Sequence, residues 1–291
     1  MNDALLMDLA DCGSPLKIVA CILKHHESWT PPVPIEDLAR SVNIIDIKEL
    51  EADGFEGALT TDPDKLQGVI LYKAGTDPGR RRFTIAHELG HFLIPSHKGD
   101  QRCTSAAMRE RRIETPDQRK ESEANEFAAG ILMPARWFRA DLQRLGDADV
   151  THVQELKQRY KTSLEATANR YIELTDDTCA FVFSHDGTIR YPRPTKGFPR
   201  LGVGKGYPLP AGCASLKAPA TPLRVASEWS EVDGRTWLDP RDAGRVPKVL
   251  EQTMRLKGGY QVTLLFIEPD ALEEIDEEEE IEESWTPRFH R

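Results

Sequence analysis

Apolar residues recur at helical spacing in several stretches of this chain. Leu5, Leu6, Leu9, Ile18, Val19, Ile22 and Leu23 pattern helices between Met1 and Glu27, and Thr30-Pro31-Pro32 breaks them from a short helix over Ile35 to Ser41. Asp77-Pro78-Gly79 is a turn into the next helix. There Phe83, Ile85, Ala86, Leu89, Phe92 and Leu93 are apolar on most sides, so burial is expected. Ala124, Phe127, Ala128, Ile131 and Leu132 set a further helix that Pro134 ends. Val150, Val153, Leu156, Tyr160, Leu164, Ala168, Tyr171 and Ile172 pattern two more, joined through Tyr160-Lys161-Thr162-Ser163, with Ser163 placed to cap the second. That pair resembles a helix-turn-helix, and a structural linker is the plainer reading of it.

Other segments change period. Between Asn43 and Lys73, β-branched residues and Gly/Asp turns predict short strands, the clearest being Val69-Ile70-Leu71-Tyr72. From Thr178 onward, Cys179 to Phe183 and Thr188 to Tyr191 flank Asp186-Gly187, which is a hairpin signal. Tyr260 to Ile267 reads as a strong strand. Gly202, Gly204 and Gly206 have no helix after them, so a loop is favoured over a phosphate cradle. The pattern predicts an α+β protein: a first domain over residues 1–140, a helical connector over 141–175, a β-rich domain over 176–268 and an acidic tail over 269–291.

The polar residues on the most apolar helix carry the chemistry. His87-Glu88-Leu89-Gly90-His91 is an H-E-x-x-H motif. Residues four apart share a helix face, so His87 and His91 can direct two imidazoles at one Zn2+ ion, with Glu88 facing a water beside it as general acid/base. The bland alternative, solvated side chains on an amphipathic helix, fits poorly with so apolar a surround, because buried polar groups need partners. Two nitrogens leave a tetrahedral site incomplete. Glu121 is the candidate third ligand. Asn125, four residues on, shares its face and can hold the outer nitrogen of a metal-bound histidine. Glu123 points elsewhere and is expected in solvent, as is His97 after Pro95. Cys103 follows His91 by twelve residues in a polar stretch read as a flexible loop. Its thiolate, favoured by Arg102 and by zinc, is a candidate inhibitory zinc ligand that closes the fourth position. Tyr72, Arg81 and Arg82 are near enough in sequence to be considered for oxyanion stabilisation, with nothing to choose among them.

Composition bounds the rest. The 291 residues suffice for two or three cored domains, and no apolar run reaches membrane-spanning length. The N-terminus lacks a signal-like pattern, and five scattered cysteines form no C-x-x-C pair, so a reducing cytoplasm is expected. The formal charge of −10 is concentrated: Glu268 to Arg291 hold eleven acids and two bases, leaving the remainder near −1. Arg80-Arg81-Arg82, and Arg109, Arg111, Arg112, Arg119 and Lys120, are basic clusters able to meet phosphates, a solvated face or the acidic tail.

H-E-L-G-H at His87 to His91, followed by E-x-E-A-N-x-F-A-A-x-x-L-M-P at Glu121 to Pro134, resembles the ImmA/IrrE metallopeptidases. Pro34 to Ala39 and Gly54 to Leu59 resemble the family's first helix and strands, and the likeness spans roughly Pro31 to Trp137. It implies a zincin-like fold and a zinc endopeptidase that cuts a helix-turn-helix repressor encoded nearby. The setting it implies is a DNA-damage, mobile-element or anti-phage response; single-stranded DNA or another ligand is a candidate activator, and the lack of a long apolar run leaves no membrane partner expected. It also implies Glu121 as third ligand and a GAF-like sensor at the C-terminus. Two competing classes are a DNA-binding regulator with structural zinc, and an interaction protein with a spent active site; an intact Glu88 speaks against the latter.

Overall fold

The structure, a computed structural model, describes residues 3–51, 54–99, 101–104, 106–109, 113–246 and 248–268. The acidic tail beyond Glu268, and Arg111 and Arg112 of the basic segment, lie outside them. The chain divides into two compact units, one of residues 1–141 with 156–167, the other of residues 142–155 with 168–291. The architecture is α+β. Among the described residues no helix is long and apolar enough to cross a membrane.

The first unit begins with helices α1 (Asp3–Ala10), α2 (Pro15–His25) and α3 (Ile35–Ser41). Strands β1 (Ile44–Leu50), β2 (Gly57–Thr61) and β3 (Gly68–Lys73) follow. Burial alternates along β3, the period-two signature of a strand with one covered face. β1 pairs with β3 in parallel and β2 with β3 antiparallel. β4 (Gln101–Cys103) adds to the outer edge of β2, giving the order β1-β3-β2-β4. The helix carrying the H-E-x-x-H motif is α4 (Pro78–Leu93), which packs on β2 and β3. Its start is fixed by Pro78 in the first turn and by the Asp77 carboxylate, which accepts from the Gly79 amide at 3.0 Å.

α5 (Pro116–Leu132) starts with a reciprocal capping box between Thr115 and Gln118, both bonds 3.2 Å. It packs closely on α4. A Cβ at Gly90 would lie 2.9 Å from the Phe127 ring, so only glycine lets the helices approach this far. Three further helices follow: α6 (Ala135–Leu145), α7 (His152–Tyr160) and α8 (Leu164–Leu174). Lys161 takes φ 54° in the turn between α7 and α8, and Ser163 Oγ accepts from the Ala166 amide as a cap.

The second unit is built on an antiparallel sheet. Its strands are β5 (Cys179–His185), β6 (Thr188–Pro194), β7 (Ser230–Asp233), β8 (Lys248–Arg255) and β9 (Tyr260–Phe266), in the order β6-β5-β9-β8-β7. Asp186 and Gly187 both take positive φ in the hairpin turn, which explains that dipeptide between β5 and β6. One sheet face buries Ala180, Val182, Val249 and Leu265 with Trp237 and Phe198. On the other, Phe181 meets Tyr171 edge-on at 5.6 Å between ring centres. β8 has no counterpart in the sequence reading: buried Glu251 and Gln252 interrupt its apolar pattern.

Candidate metal centre

α4 presents His87 and His91 one turn apart, with their Nε2 atoms 3.1 Å from each other. α5 brings in Glu121, whose Oε2 lies 3.3 Å from His87 Nε2 and Oε1 3.7 Å from His91 Nε2. β4 contributes Cys103, with Sγ 3.6 Å from His91 Nε2 and 3.8 Å from Glu121 Oε1. One donor atom from each of these four residues lies within 4.8 Å of the others. His87, His91 and Cys103 are fully buried, and the Glu121 side chain is 17% exposed.

The hydrogen bonds behind the histidines fix where their lone pairs point. Asn125 Nδ2 donates to the Ala107 carbonyl at 3.3 Å, so its Oδ1, 3.0 Å from His87 Nδ1, is the acceptor there. The proton of His87 therefore sits on Nδ1 and its Nε2 lone pair faces the cluster. Burial drives the His91 pKa down to about 4, which keeps that ring neutral. Imidazole lone pairs thus face a carboxylate, with an oxygen of Glu121 buried and unpartnered. Such an arrangement is repulsive until a cation enters, and two nitrogens with a carboxylate oxygen suit zinc.

Glu88 is fully buried, and neither of its oxygens has a hydrogen-bond partner. Burial pushes its pKa up to about 7. Gly57, at the start of β2, makes room for it: a Cβ there would lie 2.5 Å from Glu88 Oε1 and from Thr84 Cγ2.

Three sequence expectations change. Cys103 lies in a strand, where Gly57 of β2 is its partner and its carbonyl accepts from the Glu56 amide at 2.9 Å, and not in a flexible loop. Without a cation its thiol is pushed up, first by burial and then by the Glu88 and Glu121 carboxylates; the Arg102 side chain lies outside the described residues. His97 is fully buried instead of solvated, 3.0 Å from His91 Nδ1. Glu123 is not free in solvent, because one of its oxygens lies 3.0 Å from His97 Nε2. The basic run Arg80-Arg81-Arg82, which falls in the first turns of α4 and not ahead of it, is also engaged within the unit. Arg80 pairs with Glu56 at 3.0 Å, Arg81 with Glu36 at 2.6 Å, and Arg82 donates to the Val33 carbonyl at 2.6 Å. Arg81 also lies over the Tyr72 ring.

Lys65 is a residue that sequence reasoning missed. Its ammonium donates to the carbonyls of His91, Ile94 and His97 at 2.8, 3.0 and 2.8 Å. It satisfies carbonyls that the end of α4 leaves open and places positive charge at the negative end of the helix. Nothing in the Asp62-Pro63-Asp64-Lys65 turn signals that role, because its partners lie 26 or more residues away.

Comparison with known proteins agrees with this geometry. Residues 42–171 match the family Peptidase_M78, described as the IrrE N-terminal-like domain. Over 205 residues the chain is 27% identical to the radiation response metalloprotease IrrE of Deinococcus radiodurans, an alignment covering 63% of this chain and 60% of that protein. The chain thus matches less than two thirds of the length of that relative. In fold it is similar to a solved structure titled Mycobacterium tuberculosis transcriptional regulator, with a TM-score of 0.55 and 16% identity over 93% of this chain and 94% of the other. That likeness concerns the fold alone. The segment 42–171, which holds α4 and α5 with both of their motifs, is thus similar to the IrrE N-terminal-like domain of metallopeptidases.

Proposed function

We propose that the chain is a zinc-dependent endopeptidase, with His87, His91 and Glu121 as metal ligands and Glu88 as general acid/base. The observation that carries this reading is a fully buried carboxylate, Glu88, left without partners beside a cluster of converging imidazole lone pairs. A merely structural site has no use for such a group. Zinc, when bound, supplies Lewis acidity toward the scissile carbonyl and makes water a nucleophile near neutral pH. Glu88 takes the proton of the attacking water and passes it to the leaving nitrogen. Its raised pKa suits both halves of that exchange. Asn125 holds His87 in the required tautomer.

Cys103 fits a latent state. Its thiol lies where a fourth ligand belongs, and burial on the edge of β2 holds it there. Withdrawal of β4 opens that position to water and substrate.

The substrate class we propose is a partner protein, namely a helix-turn-helix repressor encoded nearby, cut during a DNA-damage or other stress response. The relative's designation as a radiation response metalloprotease supports the setting. Single-stranded DNA is the proposed activator. Residues 1–140 form the peptidase domain, residues 141–175 the connector and residues 176–268 a GAF-like regulatory domain, in a cytoplasmic protein. The second reading is a DNA-binding regulator with structural zinc. Cys103 as a fourth donor favours it, and the unpartnered Glu88 opposes it.

The test is incubation with the product of the neighbouring gene, with and without single-stranded DNA, comparing wild type with Glu88→Gln and measuring zinc in both. Cleavage by wild type alone, with equal zinc in both proteins, is expected. Cleavage by both removes Glu88 as base. Bound zinc with cleavage by neither supports the structural-zinc reading.

A further inference from the structure

We propose that His97 and Glu123 are positioning residues that set the tautomer and orientation of His91 for metal binding. The inference rests on the zinc reading above and extends it to residues outside both motifs.

The argument is one of donors and acceptors. The Glu123 carboxylate can only accept, so the proton between it and His97 belongs to His97 Nε2, 3.0 Å away. A neutral His97 then offers the lone pair of Nδ1. That atom lies 3.0 Å from His91 Nδ1, which must donate to it. His91 is left with a bare Nε2, directed at His87 Nε2 and Glu121. The opposite polarity would place a proton on His91 Nε2, inside the cluster, and exclude a cation.

The same logic holds His87 through Asn125 and the Ala107 carbonyl. Each metal-directed imidazole thus has its own backing. One is an amide on α5; the other is a second imidazole ending on a carboxylate of α5. Three features keep His97 in place. It is fully buried, the segment after α4 turns back through the His97 amide to the Ile94 carbonyl at 3.1 Å, and Lys65 ties the carbonyls of His91, Ile94 and His97 together. A histidine retained for packing alone would have no need of this alignment on both ring nitrogens.

The test measures Zn2+ affinity by competition with a chromogenic chelator, with the visible spectrum of the Co2+ form as a second readout. His97→Phe keeps the ring volume and removes the acceptor; zinc affinity should fall about 10- to 100-fold, and the Co2+ bands should shift. His97→Asn restores a carbonyl acceptor for His91 and should recover most of the loss. Glu123→Ala, on a partly exposed side chain with no demand on the core, should weaken zinc by several-fold or more. Thermal unfolding of the metal-free forms checks that each variant is folded. Zinc binding by His97→Phe and Glu123→Ala within twofold of wild type overturns the proposal. So does an Asn variant as weak as the Phe variant, because loss would then follow packing and not hydrogen bonding. Wild-type protein that takes up no Zn2+ overturns instead the metal reading on which this rests.

Discussion

Glu88 and Glu251 are both fully buried, one in each unit, and they are held in opposite ways. Glu251, on β8, accepts from the amides of Ala214 at 2.9 Å and Ser215 at 2.7 Å, from Trp237 Nε1 at 3.0 Å and from the Ser215 hydroxyl. Every donor around it is one the fold would otherwise bury unsatisfied, so the carboxylate ties the 214–220 segment and Trp237 to the sheet. Neither oxygen of Glu88 has a hydrogen-bond partner at ordinary distance, and the thiol of Cys103 is its weak polar neighbour. A buried carboxylate surrounded by donors is a structural member. One without donors carries a desolvation penalty that the folded chain tolerates, which fits the reactive role proposed for it.

The contrast can be broken at its strongest point first. Glu88→Gln should lower cleavage by about 10²- to 10⁴-fold while zinc content is unchanged. Kinetics on a purified repressor substrate check this, and an active variant would leave Glu88 with no function.

Glu251→Gln should do the reverse, sparing cleavage chemistry and destabilising the second unit by about 2–3 kcal/mol. An amide placed among those donors points N–H at N–H wherever it turns. Denaturant unfolding, or hydrogen exchange in β8, measures it; a neutral effect would show that the donor shell is adaptable.

The third prediction follows from pH. In metal-free protein the folded-state pKa of Glu88, about 7, lies above its unfolded value, so this group's contribution is full below pH 4.5 and is lost as pH rises through 7. Glu88→Gln removes that dependence. The metal-free variant should therefore gain on wild type with rising pH, by up to about 3 kcal/mol at pH 8 and little at pH 4.5. Thermal melts across that range would detect it, and a gain independent of pH would refute the raised pKa.

The smallest effect is at Cys103. Cys103→Ala should raise basal cleavage several-fold by removing a fourth donor, and unchanged or lower activity would dismiss the latent state.

Much of the first unit was legible along the chain because its signals are local. Asp77-Pro78-Gly79 announces α4, Pro134 closes α5, and spacings of four put His87 with His91 and Glu121 with Asn125. In the second unit Asp186-Gly187 gave the β5–β6 hairpin for the same reason: positive φ is a property of single residues. Glu251 and Gln252 show the limit. Gln252 accepts from the Val150 amide at 2.7 Å and donates to Asp149 at 2.9 Å, more than a hundred residues back. No local pattern distinguishes such a glutamine from one in solvent, so β8 was not recognised.

The sequence by itself determined the helix register that sets His87 and His91 on one face, with Glu88 beside them and Glu121 and Asn125 together on the second helix, because a helix converts spacing directly into direction. Tertiary structure alone decided that Cys103 lies among them, that His97 and Glu123 stand behind His91, and that Lys65 closes the end of α4. Each of those contacts depends on where the chain returns after a turn or on a strand edge, and return positions are set by the packing of the whole unit.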